Sequence, residues 1–546
     1  MHSQTLLPIV LSIVGHRDPT YETAERNKNL FKDDLYKLVE SFPHSPIFML
    51  NGLASGMDLI AAKVFLELCH DRKDGLHHRL IGVLPKPFDQ YKSEIRKDDW
   101  PLFEMVTGSC LTSVLDPSSC MALRHDDELA PLSVNIDSDN CYLRQSLFLV
   151  EHSSVLFAFT DGVNNWKKGG TSYTVQLAKN QVYSSSIDSS FTPFDYAPIG
   201  IVEYHTERLS VDSSSVPPFS VRYFKESDIK RDLSEITTAL RKIDDMNHKF
   251  STKKLQLPAG ASLTLWKFID RMAKEYKKHY QRGLLLFLCL GFLTAMTLVR
   301  PGWQVVGMTI ILASVYNLPW IQARFRENFI AFRCLAESLL ILEDWNNFGI
   351  YRNPADLFRT SLHHELEWVR VSLRSYGVNL LLEEDQEEIK ISSTQLTAYQ
   401  FKIEEQLQWL AASIRKQSKS DSRLLKIIVF VYLLGCCSSL VFLLLNQQIP
   451  NDELLEWITE SLMALLVIAI GFRELKGFQE INARYARSIA RIENSLSAIG
   501  IACDSLSAES PLQLQASRSA VRAIGVEKMD ELNDWVSDQL RRSYSP

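Results

Sequence analysis

The stretch MLNGLASGMDLIAAKVFLE, Met49 to Glu67, decides how the first part of the chain is read. The apolar run Ile47-Phe48-Met49-Leu50 stops at Asn51-Gly52, Ser55 and Gly56 follow, and an amphipathic pattern starts at Met57. A short apolar run bounded by small residues predicts a buried strand, and the helical spacing after it predicts an amphipathic helix. Glycine and serine at such a junction serve either a tight turn or a close approach of backbone to a ligand. Asp58 either caps the helix or faces that ligand.

The same alternation extends in both directions. PIVLSIVG (8–15) precedes NLFKDDLYKLVESF (29–42), HRLIGVLP (78–85) follows the opening stretch, and SSVLFAFTDG (153–162) precedes SYTVQLAKN (172–180). Apolar runs interleaved with helices predict βαβ units and a largely parallel sheet covered on both faces. Ligands of such sheets bind outside the carboxyl ends of the strands. The special junctions fall there: Gly15-His16-Arg17-Asp18; Gly52 to Asp58; Pro85, Lys86 and Tyr91; and Thr160-Asp161-Gly162 with Lys167-Lys168-Gly169-Gly170-Thr171-Ser172. A helix N-terminus presents unpaired N–H groups and a positive dipole end, so two glycine-rich helix starts beside Arg17 and Lys167/Lys168 suit phosphate or pyrophosphate. His16 is either a packed or capping histidine or part of that site.

The formal charge of −6 and pI of 6.2 argue against a general nucleic-acid binder, which needs a basic stripe to neutralise phosphates. The nine cysteines are scattered without a CxxC pair, so no zinc site or disulfide framework is expected and a reducing compartment fits. TLLPIVLSIVG lacks a basic n-region and a small-residue cleavage site, and is read as a buried first strand rather than a signal peptide.

A mean hydropathy of −0.07 conceals a division of the chain. Residues 1–210 read as the α/β domain. Residues 211–265 read as a linker and lever helix, after a Ser/Pro/Asp-rich stretch in which IGIVEYHTERL (199–209) forms either an edge strand or a strap over the ligand face. GLLLFLCLGFLTAMTLV (283–299), VVGMTIILASVYNLPWI (305–321), LLKIIVFVYLLGCCSSLVFLLLN (424–446) and ITESLMALLVIAIGF (458–472) approach the ~20 apolar residues that cross a bilayer. They predict two transmembrane hairpins with cytosolic extensions, in segments 266–370 and 423–546, joined by connecting helices over 371–422. Lys274, Lys277, Lys278, Arg282, Arg324 and Arg326 flank the first hairpin, and Lys416, Lys419, Arg423, Arg473 and Lys476 the second. The turns carry only Arg300, so the hairpin bases and the N-terminal domain are expected in the cytoplasm, with the chain multi-pass in the inner membrane. Phe325, Phe329, Phe332 and Leu339, and likewise Phe478, Ile481, Tyr485, Ile492, Leu496 and Ile499, form helical seams that pack either within the chain or between subunits. Glu460 and Asn317 either line a pore or sit at the interface.

IVGHRD, NGLASGMDLIAAKVF, LIGVLPKPFDQY and SSVLFAFTDG…KKGGTSYTVQLA resemble the SLOG superfamily, Rossmann-like domains related to the DNA-processing protein Smf and to the LOG nucleotide-processing enzymes. The resemblance covers residues 9–205. It implies that Gly15, His16, Arg17, Gly52, Ser55, Gly56, Asp58, Asp161, Gly162, Gly169, Gly170 and Thr171 surround a nucleotide-derived ligand. LOG hydrolases carry PGGxGTxxE with a catalytic glutamate. Here Val175 and Gln176 occupy that place, and a titratable group is needed for glycosidic cleavage. No catalytic residue, metal or cofactor is therefore expected. The paired hairpins, with AFRCLAESL (331–339), resemble the SLATT family. Together these resemblances imply a bacterial effector gated by an ADP-ribose-like or cyclic nucleotide. It would form a homo-oligomeric pore or membrane lesion in antiphage defence by abortive infection, downstream of a signal-producing enzyme. The alternative is a membrane-tethered nucleotide hydrolase using Asp58 or Asp161.

Overall fold

Strand β1 (Ile9–Gly15) is buried along its whole length, as a strand flanked by neighbours and covered on both faces must be. In the computed structural model it pairs in parallel with β2 (Ile47–Asn51) on one side and with β4 (Val155–Thr160) on the other. The structure describes residues 6–72, 74–110, 138–163, 167, 169–179, 200–210, 218–225, 228–230, 238–255, 264–298, 304–350, 352–363, 365–383, 393–445, 453–505 and 511–544. The sheet order is β3-β2-β1-β4-β5-β6-β7. Here β3 is Arg79–Gly82, β5 is Gly200–His205, β6 is Val221–Lys225 and β7 is Asp228–Lys230. The first five strands are parallel, while β6 and β7 return antiparallel. The sheet is thus Rossmann-like but mixed. IGIVEYHTERL does not supply an edge, because VRYFK, inside the stretch read as linker, pairs beyond it as β6.

Alternation along the strands sends side chains to both faces. Helix α1 (Tyr21–Glu40) starts at Thr20, whose Oγ1 accepts from Thr23 N, and lays Phe31 edge-on against Phe157, Phe159 and Tyr204. Helix α2 (Met57–Asp71) lies beside α1. After β3 come the short α3 (Phe88–Lys92) and α4 (Trp100–Ser109). On the other face α5 (Ser138–His152) and α6 (Thr171–Ala178) bury Leu147, Phe148, Tyr173 and Leu177 with Val10, Val14 and Leu156.

The chain divides into two compact units. The first comprises Met1–Phe268 and Ser338–Ile389, so β6, β7 and α7 (Thr238–Leu255), from the region read as linker and lever, belong with the sheet. Asn247 of α7 brackets Leu7 through Oδ1 and Nδ2 at 3.1 and 2.9 Å, and Asp244 accepts from His44 N and Ser45 Oγ. These bonds tie α7 to the amino ends of β1 and β2. Helix α8 spans Leu265–Leu298, α9 Gln304–Ile321, α10 Glu327–Asn347 and α11 Glu367–Glu383. Helix α11 joins the sheet unit: Val378 enters the α5/α6 core, and Arg374 donates to Glu151 O at 3.1 Å and to Asp356 Oδ1 at 2.7 Å.

The second unit, Ile269–Glu337 with Lys390–Pro546, is helical. It contains α12 (Ser393–Leu445), α13 (Glu453–Lys476), α14 (Phe478–Ser505) and α15 (Pro511–Tyr544). Helix α12 packs on α13 and α14, and α14 on α15. Seam residues pack within this unit: Phe332 stacks on Tyr276, Phe329 meets Trp535 edge-on, and Tyr485 lies 6.3 Å from Trp409. Arg484, 3% exposed, faces Glu531 at 3.3 Å and Asp538 at 3.2 Å. Among the described residues one helix is long and apolar enough to cross a membrane, within Thr394–Val441, with mean hydropathy 2.3.

Candidate functional site

A cleft of about 440 Å³ opens at the carboxyl ends of the parallel strands. Each parallel strand contributes through its carboxyl end or the loop or helix that follows: Gly15 closing β1, with His16 and Arg17 after it; Gly52, Ala54 and Asp58 after β2; Lys86, Tyr91 and Glu94 after β3; Lys167 and Gly169 to Ser172 after β4; Arg208 after β5. Helix α5 supplies Tyr142, Gln145 and Ser146. The cleft spans the point between β1 and β4 where the strand order reverses, the usual ligand crevice of open α/β sheets.

Asp58 is the most perturbed group on the floor. Burial pushes its carboxyl up to about 7, opposed by the Arg17 guanidinium and by the backbone N–H groups of Ala54 and Gly15. Neighbouring Tyr91 is fully enclosed; burial raises its phenol well above the ordinary value, and its hydroxyl donates to Gly52 O at 2.9 Å. At the rim Glu94 is held between Lys86, at 2.5 Å, and the Tyr142 hydroxyl. Burial would raise the Glu94 carboxyl, but those two hydrogen bonds and the nearby cations hold it below the usual carboxylate range. The Tyr142 ring has Arg17 at 5.5 Å and Lys86 at 5.4 Å from its centroid, both within cation–π reach.

Behind the cleft wall, His16 Nε2 lies 3.2 Å from Asp161 Oδ1. Asp161 is 2% exposed; burial works to raise its carboxyl, but the His16 contact, the Val163 N–H and Arg208 hold it below the ordinary value. Arg208 bridges Asp18 at 2.9 Å and Asp161 at 3.7 Å, bracing the turns after β1 and β4. Among the described residues no group of three or more His, Cys, Asp or Glu is placed to hold a metal ion.

The chain matches no protein-family model, no curated protein and no solved structure.

Gly15, His16, Arg17, Gly52, Asp58, Gly169, Gly170 and Thr171 are brought together on the cleft lining. Ser55, Gly56, Asp161 and Gly162 stand behind it. Ser55 Oγ accepts from Arg96 N at 2.9 Å, and Gly162 N donates to Thr160 Oγ1 at 3.2 Å. Gly56, at φ 85°, has His16 O 2.7 Å and Arg17 O 2.6 Å from where a Cβ would sit. Gly169, at φ 75°, admits the backbone of Tyr142 and Leu143 in the same way. At these two positions the close approach is made by the protein itself, not reserved for a ligand. Thr171 likewise turns its hydroxyl to Gly15 O at 2.9 Å, tying α6 to β1. Lys168 lies outside the described residues. His205 is not on the cleft lining, its ring lying 5.0 Å from that of Phe219, whereas Arg208 reaches the cleft. Tyr142, Gln145, Ser146 and Glu94 have no local sequence signature. They arrive through tertiary packing of α5 and the loop after α3.

Proposed function

We propose that this chain is a membrane effector gated by a nucleotide-derived second messenger, an ADP-ribose-like molecule or a cyclic nucleotide bound in the cleft. The observation that carries the reading is the cleft itself: it lies at the strand-order reversal, with Arg17, Lys86, Lys167 and Arg208 on its walls. Its volume of about 440 Å³ suits a small-molecule ligand, and a cationic lining concentrates anions. The SLOG-like sequence features point to the same ligand class.

Two transmembrane hairpins, α8 with α9 and α12 with α13, form the responding part, a SLATT-like arrangement. Supporting this are apolar side chains left exposed on all of these helices: Leu285 and Leu293, Val305 and Leu312, Phe430 and Leu440, Met463 and Val467. Exposed apolar surface of this extent marks a membrane or partner face. The excess of Lys and Arg at the hairpin bases supports a cytoplasmic side for the sheet unit, at the inner membrane. Glu460 Oε2 is enclosed by protein without a hydrogen-bond partner among the described residues, and intramembrane polar groups of this kind turn to protein or water rather than to lipid. The Asn317 side chain lies outside the described residues. Ligand binding favours a homo-oligomeric open or lytic state, in antiphage defence by abortive infection, after an upstream enzyme has made the signal. The ligand must bind that state more tightly than the resting one, since equal affinity shifts nothing.

Purified full-length protein in dye-loaded liposomes tests this. Leakage is expected on adding ADP-ribose, cyclic ADP-ribose or a cyclic dinucleotide; leakage indifferent to all of them counts against gating. A second reading, a tethered nucleotide hydrolase, is favoured by one observation. Asp58 near neutrality and the His16–Asp161 pair give one cleft a candidate acid and a candidate base. Steady product release from nucleoside monophosphates would install that reading in place of the sensor.

A further inference from the structure

Helix α12 carries Arg415, Lys416, Lys419, Arg423 and Lys426, all exposed, immediately before and into its apolar run beginning at Leu424. At ~100° per residue these five side chains fall within an arc of about 100° on one face of the helix. None of them makes an ion pair among the described residues. The one carboxylate between Gln406 and Lys426, Asp421, lies on the opposite side of the helix. It is already engaged by Arg473, whose Nε and Nη2 donate to it at 2.7 and 3.2 Å. On α8, Lys274 bonds Asp270 at 2.5 Å and Lys277 lies 5.9 Å from the Phe329 ring centroid, which leaves Lys278 and Arg282 as a shorter exposed pair before that helix's apolar run.

We propose that the α12 stripe is a docking surface for anionic phospholipid headgroups of the leaflet into which this helix runs. The proposal rests on the membrane reading of α12 given above. Like charges at helical spacings of three and four repel, so an uncompensated stripe implies a field of opposite sign outside the protein. The depth fits. With a rise of ~1.5 Å per residue, Lys419 lies about 7 Å and Lys416 about 12 Å before Leu424. The headgroup layer is about 5–8 Å thick on each side. Lys419, Arg423 and Lys426 therefore lie among headgroups, with the Lys426 stem free to snorkel outward. Lys416 and Arg415 remain within about one Debye length, ~8 Å, of that layer. A zwitterionic surface offers no net field to match the stripe, whereas phosphatidylglycerol does.

The test is native mass spectrometry of the full-length protein titrated with phosphatidylglycerol and with phosphatidylcholine, preceded by flotation with vesicles of both lipids. Wild type is expected to float and to bind phosphatidylglycerol preferentially. Each neutralised cation at the surface should weaken that binding about fivefold, so K419Q/R423Q/K426Q should lose most of the preference. K402Q/R487Q, which removes exposed cations elsewhere in the same unit, should keep it. An integral protein without headgroup preference, or a triple variant that retains it, overturns the stripe proposal alone. Failure to float overturns the membrane reading and the stripe with it.

Discussion

Asp58 gives a stability effect opposite in sign to that of carboxylates held ionised by cationic partners, such as Asp161 and Glu94. Its carboxyl rises from 3.8 to about 7 on folding, because burial outweighs Arg17 and the backbone N–H groups of Ala54 and Gly15. The folded state therefore holds a proton that the unfolded state has released, throughout the interval from about pH 4 to pH 7. In that interval stability falls as pH rises, and above pH 7 the full penalty is present. Three pKa units correspond to about 4 kcal/mol at ~1.4 kcal/mol per unit, an upper figure because local opening admits water. Asp58→Asn keeps the shape and one acceptor oxygen while removing the charge. Near pH 4 the variant and the wild type should agree within about 1 kcal/mol, as neither carries a charge there. At pH 8 the variant should be the more stable, by as much as about 4 kcal/mol. Thermal unfolding of the full chain in detergent, followed by circular dichroism at both pH values, reads the difference. A variant less stable than wild type at pH 8, or a difference that does not change with pH, would refute the reasoning.

Gly169→Ala forces a Cβ into the Tyr142 backbone at φ 75°. It should destabilise by about 1–2 kcal/mol from the left-handed backbone alone and more from the overlap, read as a lowered melting temperature. Arg484→Ala leaves Glu531 and Asp538 facing an empty site. A loss of about 1–3 kcal/mol is expected in denaturant unfolding, below the figure for a fully buried pair because Glu531 and Asp538 are each about a third exposed, with Arg484→Met milder than Arg484→Ala if the buried stem matters. Asp161 has the opposite linkage to Asp58. With its folded pKa below the unfolded value, its contribution is present above about pH 4 and is lost as pH falls through the folded pKa. Asp161→Asn should therefore cost stability at neutral pH and little in strong acid, and should move the His16 imidazole nitrogen shifts in ¹⁵N NMR; unchanged shifts would separate the two residues.

Much of the sheet was legible because central parallel strands need apolar residues on both faces: IVLSIVG and VLFAFT are unbroken runs, and both are fully buried. The antiparallel strands β6 and β7 were not. VRYFK and DIK mix charge with apolar residues and follow a Ser/Pro-rich stretch, so their pairing is fixed by β5 rather than by local pattern. The candidate site divides along the same line. Glycine and charged residues at strand ends announce a junction, and most of those named do reach the cleft. Composition does not say what a glycine admits, and Gly56 and Gly169 admit neighbouring backbone. Tyr142 and Gln145 lie on α5, a helix whose polar face carries no motif, and no local rule places them opposite Lys86 and Gly52.

The sheet unit is assembled from two separated pieces of chain, and the polypeptide crosses between the units after Phe268, after Glu337 and after Ile389. A protease nick after Glu337 or after Ile389 leaves the sheet covalently joined to the second unit, whereas a nick after Phe268 leaves residues 1–268 held by non-covalent packing against residues 338–389. Ending the chain at Phe268 instead removes Val378 and uncovers the apolar surface around Leu143 and Phe148 that it helps to cover. The amino-terminal portion by itself should consequently be sticky and poorly behaved, and its solubility should return when residues 338–389 are supplied in trans.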